Sequence, residues 1–170
     1  MHRRLAALLA LTLAPAAAQA QGTATIQPLY EMAKGWLVKS AEMLPEADYG
    51  FKPTPAVRSF GQLIGHVANA NYMICATAKG EKNPAAQDFE KTTEKAALVK
   101  ALKDALAYCD PVYKMADADL TATAEMFGMK MTRLGWAFLN VTHDNEHYGN
   151  LVTYLRMKGL TPPSSQGPGM

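Results

Sequence analysis

The stretch HDNEHYGN, residues 143–150, sets two histidines four apart, with Asp144 just after the first and Glu146 just before the second. An α-helix advances about 100° per residue, so His143 and His147 differ by about 40° and share one face, a turn apart. Two imidazoles so placed form a ready bidentate site for a transition metal. Trp136, Asn140, Leu151 and Tyr154 fall within about 80° of the same direction, which makes the histidine face the inward one. His66 lies mid-helix on an earlier segment, with Leu63, Ala70 and Met73 within about 60° of it. A lone inward histidine is ordinarily a hydrogen-bonded core residue. Three together leave up to six ring nitrogens to satisfy, and one shared cation takes three of them. The spacing therefore points to a metal site of His66, His143 and His147, with a polar core cluster as the bland alternative.

HDNEH also matches H-x-x-E-H, the inverted zinc-protease signature. That class needs a third ligand well downstream. Only 23 residues follow His147, none of them His, Asp or Glu, so peptidase activity is not the expected reading. Asp144 and Glu146 then read as the solvated edge of a helix. Three imidazoles leave a metal with an open position, at which water or a substrate thiolate can be activated. Zinc, nickel, copper and iron are all acceptable to such ligands. Asn69 and Asn140, each three residues from a histidine, are candidates to support the ligands or to face the open position. Tyr72, Glu146 and Tyr148 flank them, and no catalytic acid or base is assigned. Cys75 falls on the far side of its helix from His66, roughly 13 Å along, which disqualifies it as a fourth ligand.

These side chains need helices to position them, and four segments carry the required periodicity. The first spans about Thr25 to Leu44, with Leu29, Met32, Ala33, Trp36, Leu37 and Met43 as its stripe, and Pro45 stops it. After a loop rich in proline, Ser59 caps a second helix that ends at Gly80. A third runs from about Thr92 to Ala116, interrupted near Pro111. Residues 120–131 suit an extended or hairpin connection around Gly128. Thr132 caps the last helix, which reaches Lys158 and stops at Gly159. The expected fold is all-α, an antiparallel four-helix bundle with long connections, over residues 21–163. Residues 164–170 are expected to form a disordered tail.

The first twenty residues have a basic start, an apolar run from Leu5 to Ala14, and small residues at Ala18 and Ala20. That is the layout of a secretory signal peptide cut before Gln21, which implies a secreted or periplasmic protein with no membrane attachment after cleavage. Of 17 basic and 15 acidic residues, the leader holds two arginines, leaving the mature chain 15 against 15. A neutral chain without a basic run offers nucleic acid no electrostatic footing. Cys75 and Cys109 match no metal motif, and in an oxidising compartment either one disulfide or two buried thiols fits the sequence.

The segments KPTPAVRSFGQLIGHVANAN and THDNEHYGNLVTYLRMKGLTPP together resemble the DinB-like superfamily, over about residues 25 to 163. The resemblance lies in a loop with prolines leading to a helix with a central histidine, then an H-x-x-x-H final helix with a Gly-Leu-x-Pro ending. It implies a four-helix bundle, a three-histidine site for zinc or nickel with His66, His143 and His147 as ligands, and often a homodimer. Some relatives are thiol-dependent transferases or isomerases. The export signal is a departure, because an oxidising compartment is a poor place for a reduced thiol cosubstrate. Two functions follow. One is an exported metal-dependent enzyme, hydrolytic or transferring, acting on a small molecule. The other is a non-catalytic metal-binding or stress-related protein whose site is sealed by Trp136, Leu63 and Met73.

Overall fold

The computed structural model describes residues 21–167; the expected leader and the last three residues lie outside that range. The protein is mostly helical. Its elements are α1 (Gln21–Met43), α2 (Phe60–Lys79), α3 (Lys95–Cys109), a short α4 (Asp117–Leu120), a hairpin of β1 (Thr123–Met126) and β2 (Met129–Thr132), and α5 (Arg133–Met157). Among the long helices, α2 packs on α3 and α5, and α1 packs on the same two, closing a ring around one core. Among the described residues no helix is long and apolar enough to cross a membrane.

Local chemistry sets the helix that carries His66. Ser59 and Gln62 form a reciprocal capping box at the start of α2, and Gly80, at φ 73°, closes its end. Thr132 caps α5 by accepting from the Gly135 N–H. The hairpin turns through Phe127 and Gly128, both with positive φ (52° and 75°), in register Met126 opposite Met129. Trp136 ties α5 to the hairpin by donating from its indole to the Ala124 carbonyl, 3.0 Å away.

Three expectations need correction. The core stripe of α1 is centred on Ile26, Tyr30, Ala33, Leu37 and Ala41, while Leu29 is exposed. Tyr30 takes the inward place because its ring stacks on Tyr113 at 3.8 Å and its hydroxyl donates to the Leu106 carbonyl at 2.6 Å. The third helix is shorter than Thr92–Ala116. Thr92 and Glu94 are extended, so α3 starts at Lys95. Proline has no N–H to continue the ladder, and after Cys109 the chain passes into a separate 3-10 turn, Val112–Lys114. Ser164 and Ser165, expected in a disordered tail, belong to a 3-10 turn, Pro163–Ser165. Tyr148 donates to the Ser164 hydroxyl and accepts from the Ser164 N–H, which holds this segment on α5.

Cys75 and Cys109 form a disulfide joining α2 to α3, with Cα atoms 5.3 Å apart. A buried polar group lies beside it, between α2 and α5. Asn71 donates to Asp144 at 2.7 Å, and the Asn140 amide donates to Asn71, Tyr113 and Asp144. Asp144 is therefore a fully buried core residue and not a solvated helix edge; Glu146 is exposed, as the spacing implies.

Candidate metal centre

Helices α2 and α5 pack side by side and bring His66, His143 and His147 together. One ring nitrogen from each lies within 4.8 Å of the others. The Nε2 atoms of His143 and His147 are 3.1 Å apart, and the His66 ring centroid lies 5.2 Å and 4.7 Å from theirs. Four ligands around zinc at about 2.0–2.1 Å would sit roughly 3.3 Å from each other, so the α5 pair already has the separation of two ligands on one ion.

The outer ring nitrogens favour the same reading. His66 Nδ1 lies 2.7 Å from Glu90 Oε1. Donation to that carboxylate leaves His66 Nε2 bare and basic. His147 Nδ1 donates to Asn150 Oδ1 at 3.1 Å, which leaves its Nε2 as an acceptor facing His143 Nε2. Either His143 donates across that gap, or a cation serves both lone pairs. In either case the buried His143 Nδ1 has no hydrogen-bond partner, bare in the first and carrying the proton in the second.

Both α5 histidines are held neutral. Burial pushes His143 down to about 4, with the neighbouring His147, His66 and Arg58 adding to the effect. Burial also lowers His147, against the opposing effect of the hydrogen bond it donates to Asn150. A neutral imidazole is the form that binds metal. The donor set, its spacing and its protonation therefore fit a transition-metal ion.

Glu90 is the site residue that sequence reasoning missed. It stands on the 3-10 turn Phe89–Lys91, which rests directly on α2. Gly65 permits the contact, since a Cβ there would lie 2.3 Å from the Phe89 carbonyl oxygen and 2.8 Å from the Glu90 nitrogen. A glycine inside a helix, one residue before His66, was the available sign of a close backbone approach. Arg58 grips the other side of Glu90, Nε to Oε2 at 2.9 Å. Burial tends to raise the Glu90 carboxyl, but the bonds from Arg58 and His66 outweigh it and hold the group below its ordinary value.

Neither asparagine serves the histidines. Asn140 belongs to the Asp144 cluster, and Asn69 donates to Asp88 and accepts from the Phe89 N–H, which fastens the same turn to α2. Trp136 lines neither of the two clefts beside the histidines, and its indole N–H is tied to the hairpin. His147 and Leu63 instead line an open cleft of about 780 Å³ between the 52–58 loop and α5. On the other side His66 and Met73 border a smaller one of about 340 Å³. The histidines thus lie at an accessible edge of the core.

Comparisons with known proteins give the family and the fold. The profile of the DinB superfamily matches residues 29–151. The fold is similar to that of a DinB-like protein from Bacillus cereus ATCC 10987 (TM-score 0.69, 18% identity, covering 81% of this chain and 93% of that one). It is also similar to a DinB-like protein from Bacillus subtilis (TM-score 0.63, 23% identity, covering 81% and 93%). A mycothiol-dependent maleylpyruvate isomerase shares the fold at TM-score 0.60 and 15% identity, over 76% of this chain and 60% of that one. No curated protein matches the chain. With most of the helical core inside the matched region, the chain belongs to the DinB superfamily.

Proposed function

We propose that the protein is an exported metal-dependent enzyme acting on a small molecule, built on an antiparallel four-helix bundle with His66, His143 and His147 as ligands of zinc or nickel. The observation that carries this reading is the meeting of three imidazoles beside an open cleft, with His143 and His147 at ligand spacing. A metal held there supplies Lewis acidity at an open coordination position. The chain's own part is to keep two imidazoles neutral by burial, to orient His66 through Glu90, and to leave the Leu63 side open to a substrate.

The leader-like first twenty residues support export, and the Cys75–Cys109 disulfide suits an oxidising compartment. Hydrolysis fits such a compartment better than transfer from a reduced thiol. Likeness in fold to a mycothiol-dependent isomerase keeps thiol-type transfer as the second reading.

The test is substitution with cobalt(II), whose visible absorption reports its coordination. Tetrahedral cobalt bands that shift on adding azide or a small thiol would support an exchangeable position. A spectrum indifferent to both would mean a closed, structural ion and would remove the enzyme reading.

A further inference from the structure

We propose that the large cleft beside the histidines is a subsite for a small organic carboxylate, with Lys52 and Arg58 reading its negative charge. The inference deepens the reading of the site as one that takes a small-molecule substrate, and it rests on that reading for its biological meaning.

The first argument is charge. The cleft wall carries two cations, Lys52 and Arg58, against one carboxylate, Glu90. Glu90 pairs with Arg58 at 2.9 Å and with His66 at 2.7 Å, so Arg58 and Glu90 offset one another. Arg58 keeps N–H groups to offer a ligand, and the uncompensated charge of the wall is that of Lys52. Lys52 has no ion pair among the described residues, and it is exposed. Three neutral imidazoles would not offset the charge of a divalent ion, so loading the centre makes the surroundings more positive still.

The second argument is the inventory of hydrogen-bonding groups. Both amide oxygens on this wall are spent inside the protein: Asn150 Oδ1 accepts from His147, and Gln62 Oε1 accepts from the Ser59 N–H, while the hydroxyls of Thr54 and Thr153 can donate or accept. Their amide Nδ2 and Nε2 groups, among the described residues, have no protein partner and remain donors. With the Lys52 ammonium and two amide N–H groups as donors and two hydroxyls that serve either way, the wall suits a ligand rich in acceptors.

The third argument is rigidity. Tyr154 donates to the Arg58 carbonyl at 2.6 Å, and the Arg58 side chain is clamped to Glu90, so the cation is held by two elements before any ligand arrives. Val57 and Leu63 supply apolar wall for the ligand's body. A preorganised cation with apolar surface nearby suits a carboxylate on a hydrocarbon frame.

Benzoate and its neutral analogue benzyl alcohol are suitable probes, titrated into full-length mature protein by calorimetry, both metal-free and zinc-loaded. The metal-free protein should bind benzoate at least about tenfold more tightly than benzyl alcohol. Lys52→Gln, on an exposed loop side chain, and Arg58→Gln should each weaken benzoate severalfold and leave benzyl alcohol unchanged. Equal binding of the two probes, no binding of benzoate, or benzoate binding indifferent to both substitutions would overturn the proposal. A protein that prefers benzoate but takes up no zinc would uphold the subsite and overturn the metal reading. One that takes up zinc without preferring benzoate would do the reverse.

Discussion

His66 Nδ1 and Glu90 Oε1 stand 2.7 Å apart, although the two residues lie 24 positions apart in the chain. A carboxylate behind a ligating histidine fixes its tautomer and raises its basicity. Glu90→Ala should lower zinc affinity about 10- to 100-fold, measured by competition with a chromophoric chelator, while the helical circular dichroism is unchanged. Unaltered affinity would mean that packing alone orients His66.

Gly65 makes that pairing sterically feasible. In Gly65→Ala the new Cβ meets backbone atoms of Phe89 and Glu90, which are not the ends of a flexible side chain and do not yield cheaply. The substitution should cost about 1–3 kcal/mol of stability by urea unfolding and loosen the Phe89–Lys91 turn. A variant as stable as the parent would show that the turn is not held where the structure has it.

The disulfide closes a segment between residues 34 apart in sequence. By chain entropy its reduction should cost about 3–4 kcal/mol, read as a lower urea midpoint in the presence of a reductant. An unchanged midpoint with the thiols demonstrably free would remove the structural role of the bridge, and with it one support for export.

In the metal-free protein His143 and Asp144 should act oppositely on stability as pH changes. His143 titrates near 4 when folded, below its ordinary value, because burial disfavours the charged form. Between about pH 4 and 6.5 the unfolded chain binds the extra proton, so this group's contribution rises with pH. Burial raises Asp144 to about 7 despite the Asn71 hydrogen bond. Between about pH 4 and 7 the folded state holds its extra proton, so that contribution falls as pH rises. The stability of Asp144→Asn relative to the parent should therefore climb across this window by a few kcal/mol. A difference independent of pH would contradict the buried, proton-holding Asp144.

Much of this protein was legible in its sequence. The i, i+4 histidines, the Ser59 and Thr132 caps and the Gly80 stop are local signals, and periodicity points all three histidines inward. Glu90 was not legible, because its pairing with His66 depends on how the loop before α3 folds back onto α2, and no helical spacing relates the two. Asp144 was misread for a related reason. A charged residue beside a ligand pair reads as a solvated edge until Asn71 and Asn140, from two different helices, are seen to satisfy it. Tyr30 displaced Leu29 from the core because its hydroxyl finds a carbonyl on α3, a partner that hydrophobicity alone does not reveal.

The central claim is that three histidines hold one metal ion, and the most direct measurement is metal content by plasma mass spectrometry on untagged mature protein. The same assay is run on His66→Ala, His143→Ala and His147→Ala. About one zinc or nickel per chain is expected. The metal should be lost in each variant while the helical signal persists. A folded parent that carries no metal and takes none up on dialysis against zinc or nickel, or variants that retain it in full, would contradict the account.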